Sequence, residues 1–92
     1  YMTTIKIGYN NIEISGHAKD SIVCHAVSAV SGMVANYVES QRWGRVASDD
    51  NGYLKIYDVR EEYIGNPLFS AMTKALYDIC EEYPENLIIE HV

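Results

Sequence analysis

Residues 14–30 read ISGHAKDSIVCHAVSAV, and the spacing of apolar side chains changes within this stretch. Up to Ser15 apolar and polar residues alternate, which is the pattern of a half-buried β-strand. From Ile22 to Tyr37 apolar residues recur every three or four positions, which is the pattern of an α-helix with one apolar face. The stretch therefore predicts a strand that ends near Gly16, followed at once by a helix.

Two β-hairpins are predicted, one on each side of this helix. In the first, residues 4–8 and 11–15 form two runs of alternating apolar and polar residues. In the second, residues 43–48 and 53–59 flank a turn that contains Asn51-Gly52. The Asn-Gly pair is a strong turn signal because both residues tolerate positive φ.

The C-terminal part of the chain predicts a second helix and a last strand. Asn66 followed by Pro67 is typical of an N-cap and a first helical residue, and apolar residues continue at helical spacing to about Glu82. A short apolar run, residues 87–89, follows as a candidate strand. The order ββαββα with a final β predicts an α+β fold, in which one domain of residues 1–92 has a mainly antiparallel sheet packed with two helices.

Length, net charge and apolar content exclude several classes of protein. A chain of 92 residues has room for one hydrophobic core. Its formal net charge of −6 argues against nucleic-acid binding and favours a basic peptide or protein partner. We expect no membrane span, because no window approaches the roughly 18–20 apolar residues that one requires. The first eight residues lack the pattern of a secretory signal, so a cytoplasmic location is expected.

Two reactive residue types lie at the change from strand to helix. His17 follows the predicted strand, and Cys24 lies seven residues later in the first turns of the helix, which either Asp20 or Ser21 is expected to cap. A helix N-terminus favours negative charge, and a nearby imidazole can accept a proton, so this arrangement is typical of an activated cysteine. The pattern leaves a second interpretation open, in which Cys24 is a small buried hydrophobe and His17 a turn residue.

No metal site or cofactor is predicted. His17, Cys24 and His25 are ligand types that zinc accepts, but they lack the paired spacing of zinc sites. Cys80 lies in the pattern of the second helix, where a structural role is the better interpretation. The two cysteines do not form a disulfide framework and are expected to be free thiols.

The residues around His17 and Cys24 resemble the signature of the Prp family of ribosomal-processing cysteine proteases. Residues 15–18 and 22–24 match the family elements Ser-Gly-His-Ala and Ile-Val-Cys, and residues 52–54 and 81–85 extend the likeness over nearly the whole chain. The resemblance implies a cysteine endopeptidase that removes a short N-terminal extension from a large-subunit ribosomal protein or acts on a phage structural protein. It also implies a homodimer.

The resemblance further implies a Cys/His dyad with Cys24 as nucleophile and His17 as general base. Four neighbouring residues are expected to support the site or the substrate: Gly16, Asp20, Ser21 and Ser28. For Ser28, close helix packing by a small residue is an alternative role. Unpaired backbone N–H groups around Cys24 at the helix start are the expected oxyanion donors.

The chain departs from the family pattern between the two motifs. The family has a longer, glycine-containing loop there, whereas here only Lys19-Asp20-Ser21 separate the motifs, with Ser21 in the place of a family aspartate and His25 in that of an alanine. A shortened loop implies altered specificity or the loss of cleavage. The alternative function is therefore a catalytically impaired, dimeric binding module, and an edge-strand scaffold built on residues 87–92 is compatible with either.

Overall fold

The computed structural model describes residues 2–92 and contains five strands and two α-helices in one α+β domain. The elements are, in chain order, β1 (Thr3–Ile7), β2 (Ile12–Ser15), α1 (Ser21–Gln41), β3 (Arg45–Asp49), β4 (Tyr53–Tyr57), a 3₁₀ turn (Glu61–Tyr63), α2 (Pro67–Glu82) and β5 (Leu87–His91). The predicted order of strands and helices is confirmed.

The five strands form one sheet with the order β3-β4-β2-β1-β5. The two predicted hairpins are antiparallel, and β2 also pairs antiparallel with β4, so that Ile14 lies opposite Leu54. The last strand, β5, pairs parallel with β1 and forms an edge of the sheet. The prediction of a mainly antiparallel sheet is therefore confirmed, with one parallel pairing that joins the end of the chain to its start.

Both helices contribute to one hydrophobic core with the sheet. Burial alternates along β1 and β2, because one side chain in two faces the helices. The residues that are completely or almost completely buried come from every layer: Ile5, Ile56 and Leu87 from the sheet, Val23, Val34 and Val38 from α1, and Leu76 from α2. This core fixes the first turn of α1 against the sheet.

Both helices begin at their predicted caps, and α1 ends later than predicted. Asp20 is the N-cap of α1, and its side chain accepts a hydrogen bond from the Ile22 N–H at 2.9 Å, so Ser21 is the first helical residue. Helix α1 continues beyond the predicted end at Tyr37 to Gln41, because Val38 continues its buried face. Helix α2 matches its prediction at both ends.

The stretch between α1 and β3 differs from its predicted structure. Trp43 begins the predicted strand, but β3 begins at Arg45 and the Trp43 ring instead stacks on Tyr63 with 4.6 Å between centroids. The segment after β4 contains the 3₁₀ turn Glu61–Tyr63, whose two glutamates are exposed.

The turn between β3 and β4 differs in type from the expected one. Asp49 pairs with Tyr53, so the loop has three residues, and Gly52 has a φ of +73° whereas Asn51 has a negative φ. The Asp49 side chain accepts a hydrogen bond from the Asn51 N–H at 2.8 Å, which holds the first part of the turn. Only Gly52 therefore uses its tolerance of positive φ, as in three-residue hairpin loops.

By length and composition alone, α1 qualifies as a helix that could cross a membrane. An 18-residue window within Ser21–Gln41 has a mean hydropathy of 1.4, so the expectation that no window comes near this limit was wrong. The core helix of a soluble protein passes the same test. Helix α1 has six buried residues and contacts α2, β3 and β4, so its place in the core accounts for part of its apolar character, while Ile22 and Met33 are exposed.

Candidate active site

Cys24 is the fourth residue of α1, and its side chain is half-buried at the end of the sheet. The backbone N–H of Ala18 donates a hydrogen bond to the Cys24 Sγ over 3.2 Å, and the Ala18 carbonyl lies 3.8 Å from the same sulfur. Ala18 itself is buried, with 8% of its surface exposed. The short segment between strand and helix therefore lies against the thiol and supplies a backbone donor to it.

The start of α1 is held by a residue that the sequence did not indicate. The Asn86 side-chain oxygen accepts a hydrogen bond from the Asp20 N–H at 2.7 Å, and the Asn86 backbone carbonyl accepts one from the Thr3 N–H at 3.0 Å. Asn86 precedes β5, 66 residues after Asp20. It connects the cap of α1 to the sheet and so fixes the position of Cys24, a role that no local sequence signal predicts.

The backbone donors at the helix start are not unpaired, contrary to the prediction. The N–H of Ile22 donates to the Asp20 side chain, and the N–H groups of Val23 and Cys24 both donate to the Asp20 carbonyl, over 3.1 Å and 3.4 Å. The aspartate cap satisfies these groups locally. The Cys24 N–H makes the longest of these hydrogen bonds and is the one that a substrate oxygen could most easily take over.

His17 is exposed and lies on the strand end that leads into α1. Gly16, with a φ of +91°, makes the bend before it, and the Gly16 N–H donates to the Gly52 carbonyl at 3.0 Å. This hydrogen bond ties the segment that carries His17 to the turn between β3 and β4. Within residues 2–92 no hydrogen bond joins the His17 imidazole to the Cys24 thiol.

His17 and Cys24 line the same open cleft, with a volume of about 400 Å³. Its floor is apolar and includes Ile14, Val27 and Leu54, and its rim carries two exposed carboxylates from the β3–β4 turn. These carboxylates belong to Asp49 and Asp50, and four further lining residues are ones that the sequence analysis names: Gly16, His25, Ser28 and Gly52. The arrangement places a thiol, an imidazole and an accessible apolar surface together.

Three predicted support residues have different surroundings. Ser28 lies one turn after Cys24, lines the cleft and is exposed, whereas Ser31 is buried and donates to the Val27 carbonyl. Close packing by a small residue therefore describes Ser31 and not Ser28. Asp20 and Ser21 do not line the cleft, and Asp20 acts on it through the cap of α1.

The polar lining residue Tyr53 has a local partner. The Tyr53 hydroxyl donates to Glu13 at 3.0 Å, and this hydrogen bond raises the pKa of Tyr53 above its ordinary value, so the phenol is neutral at physiological pH. In the described part of the chain, no three His, Cys, Asp or Glu side chains are grouped so that they could hold a metal ion.

Cys80 differs from Cys24 in that it does not line the cleft. Both side chains pack against the core, and both thiols donate to a backbone carbonyl, Cys80 to Leu87 at 3.3 Å and Cys24 to Ala18 at 3.8 Å. Both cysteines are free and half-buried. Cys80 therefore provides an internal comparison for the reactivity of Cys24.

A second cavity, of about 170 Å³, lies between the β1–β2 turn and the start of α2. Its walls are mostly apolar and include Ile7, Phe69 and Met72, and it is lined by neither a cysteine nor a histidine. With neither a cysteine nor a histidine, this cavity lacks the thiol and imidazole pair of the cleft around Cys24. The cleft is therefore the better candidate for an active site.

Replacement of Gly32, which lines the cleft, is expected to stabilise the protein. It lies in the interior of α1, where glycine destabilises a helix by about 1 kcal/mol relative to alanine, yet a Cβ at this position would contact nothing within 4 Å. Gly32→Ala should therefore raise the free energy of unfolding by up to about 1 kcal/mol, measured by urea denaturation. A decrease in stability would contradict the open space at Gly32, and Gly44→Ala, with a Cβ 3.0 Å from the Tyr57 carbonyl, is the control expected to destabilise.

Comparison with known proteins identifies the family of the chain. The family model described as cysteine protease Prp matches residues 2–88. A search of curated proteins found no match. Among solved structures, the ribosomal processing protease Prp of Staphylococcus aureus, with a covalently linked product peptide, is 27% identical with a TM-score of 0.81, and the match covers 99% of this chain and 100% of that one.

Two further structures share the fold. The same Staphylococcus aureus protease with a substrate peptide has a TM-score of 0.83 at 23% identity, covering 99% of this chain and 100% of that chain. SMU.848 from Streptococcus mutans has a TM-score of 0.78 at 24% identity, covering 100% of this chain and 98% of that chain. Because the family model spans residues 2–88 and nearly the whole fold is shared, the chain belongs to the cysteine protease Prp family.

Proposed function

We propose that this protein is a cysteine endopeptidase in which Cys24 is the nucleophile and His17 the general base. The observation that carries the proposal is the shared cleft, where the Cys24 thiol receives the Ala18 N–H and the His17 imidazole is exposed to the same space. A thiol and an imidazole in one cleft are the two groups that a cysteine peptidase requires, a nucleophile and a base that takes its proton.

The reaction follows from these groups. His17 takes the proton from Cys24, and the sulfur attacks the carbonyl carbon of the scissile peptide bond to form a tetrahedral oxyanion. The Cys24 N–H, with its long 3.4 Å hydrogen bond to Asp20, is the first donor available to that oxygen. His17 then gives the proton to the leaving amine, and water, activated by the same imidazole, hydrolyses the thioester to release the acid product.

The proposed substrate is a peptide segment of another protein. The Staphylococcus aureus relative is described as a ribosomal processing protease with a linked product peptide, which supports an N-terminal extension of a large-subunit ribosomal protein as substrate, with a phage structural protein as the second possibility. Asp49 and Asp50 at the cleft rim, together with the net charge of −6, favour a basic segment. We also propose a cytoplasmic location and a homodimer.

The predicted supporting residues hold His17 and Cys24 in position or line the cleft beside them. Gly16 makes the bend that presents His17, and Asp20 caps the helix that presents Cys24. Ser21, as the first helical residue, takes the place of the family aspartate without contacting the cleft. Ser28 lines the cleft one turn from Cys24, where its hydroxyl can bind substrate.

One observation favours a second function. Only Lys19-Asp20-Ser21 connect the two motifs, and within residues 2–92 no hydrogen bond links His17 to Cys24. A chain with so short a connection has little freedom to close over a peptide. The alternative function is a dimeric module that binds a peptide without cleaving it, and in that case Cys24→Ala leaves peptide affinity unchanged.

The proposal predicts that Cys24 reacts much faster than Cys80 with iodoacetamide near neutral pH. The Cys24 thiol lines an open cleft together with the His17 imidazole, which can take its proton, whereas Cys80 does not line this cleft. We expect a rate ratio of at least about tenfold, measured by peptide mapping with mass spectrometry in the folded protein.

The control for this measurement is the denatured protein, in which both thiols should react at the same rate. His17→Ala should lower the alkylation rate of Cys24 and leave that of Cys80 unchanged. Equal and slow alkylation of the two cysteines in the folded wild type, together with no cleavage of any extension peptide, would exclude the peptidase and leave the binding module.

A further inference from the structure

The imidazole of His17 lies directly on Gly52, in the turn between β3 and β4. A Cβ built on Gly52 would lie 2.7 Å from the Gly16 carbonyl oxygen, 2.8 Å from the His17 Cε1 atom and 3.1 Å from Nδ1. Distances below 3.0 Å essentially never occur between real Cβ atoms and their neighbours. The Gly16 carbonyl and the Nδ1–Cε1 edge of the ring together therefore occupy the space that the Cβ of any other residue at position 52 would need.

Few other contacts hold the ring in place. His17 is exposed, and within residues 2–92 its imidazole makes neither a hydrogen bond nor an ion pair. The backbone on each side of the contact is fixed, because the Gly16 N–H donates to the Gly52 carbonyl at 3.0 Å. The surface of Gly52 is therefore a main constraint on where the imidazole lies in the cleft.

We propose that Gly52 is a positioning residue for His17: the bare α-carbon of the β3–β4 turn forms the surface that holds the general base toward Cys24. The inference rests on the proposed peptidase function and extends it to the opposite wall of the cleft. The turn then requires glycine for three reasons: the φ of +73°, the Gly16 carbonyl oxygen and the contact with the ring.

The role differs from that of a structural turn glycine in a way that can be measured. A glycine needed only for its φ and for the space beside the Gly16 carbonyl oxygen affects the stability of the fold, whether or not an imidazole is present at position 17. A glycine that also positions the imidazole affects turnover through His17, because the Cβ of alanine or asparagine would displace the ring. Displacement of a catalytic group by about 1 Å can lower the rate about 10²-fold, so both variants should lose turnover.

The experiment compares Gly52→Ala and Gly52→Asn with the wild type and with Gly65→Ala, at whose position a Cβ would contact nothing within 4 Å. We expect both Gly52 variants to lower kcat about 10²-fold with KM unchanged, and Gly65→Ala to leave kcat unchanged. In a His17→Ala background, Gly52→Ala should cause no further loss, because its effect passes through the imidazole. Circular dichroism establishes which variants are folded.

A measurement on the wild type does not depend on the variants folding. In an NMR experiment with labelled histidine, the Hε1 proton of His17 should show a nuclear Overhauser effect to the Gly52 α-protons. Full activity of Gly52→Asn, a further loss in the His17→Ala background, or absence of this effect would each overturn the inference. If the wild type cleaves no peptide, the proposed function fails, while the nuclear Overhauser effect and the alkylation rate of Cys24 in the Gly52 variants still decide whether Gly52 positions His17.

Discussion

Cys24→Ala is expected to abolish cleavage of extension peptides altogether. Alanine removes the sulfur that forms the thioester, and no other described residue that lines the cleft is a cysteine. His17→Ala should retain the thiol and lose its base, which corresponds to a decrease of about 10²–10⁴-fold in kcat/KM. The measurement is mass spectrometry of a panel of basic N-terminal extension peptides from large-subunit ribosomal proteins, incubated with each variant.

The matched control is Cys80→Ala. Cys80 is half-buried like Cys24, but it lies on α2 and does not line the cleft, so its replacement should leave the cleavage rate unchanged. The double variant Cys24→Ala with His17→Ala should be no less active than Cys24→Ala alone, because the two residues act as a unit. Cleavage that survives Cys24→Ala would assign the reaction to another group or to a contaminating protease and would refute the proposed nucleophile.

The regular elements could be predicted because their signals are local. Alternation identified the hairpin strands, and Asn66-Pro67 identified the start of α2 to the residue. The end of α1 was placed too early at Tyr37, since tertiary burial of Val38 continues the helix beyond the clearest part of the pattern. The parallel pairing of β5 with β1 joins the two ends of the chain, and no periodicity within either strand specifies that partner.

The residues of the candidate site also differ in whether a local sequence signal predicts them. His17 and Cys24 were expected to lie close together, because a strand end leads directly into a helix start, and the structure places both in one cleft. Asn86 lies 66 residues after its partner Asp20, and Gly52 lies 35 residues after its neighbour His17. Local sequence patterns mark Gly52 only as a turn residue. Their contacts depend on the packing of the complete fold, which sequence spacing does not report.

Gly16→Ala is expected to be the most destabilising single substitution near the site. Gly16 has a φ of +91°, and a Cβ there would lie 2.5 Å from the backbone carbonyl oxygen of Met2, which cannot rotate away as a side chain would. The strained backbone and the collision together should lower the free energy of unfolding by about 2–4 kcal/mol. In a domain of this size that corresponds to a decrease in Tm of about 10–25 °C, measured by thermal denaturation.

Two controls separate the causes of this loss. Gly65→Ala, in open space, should change Tm little, whereas Gly16→Ala in a chain that begins at Thr3 should be milder than in the longer chain, because the Met2 carbonyl is no longer present. The part of the loss that remains measures the strain of a positive φ. A Gly16→Ala protein as stable as the wild type would show that the bend before His17 does not need this conformation, and the geometry that presents His17 to the cleft would then be wrong.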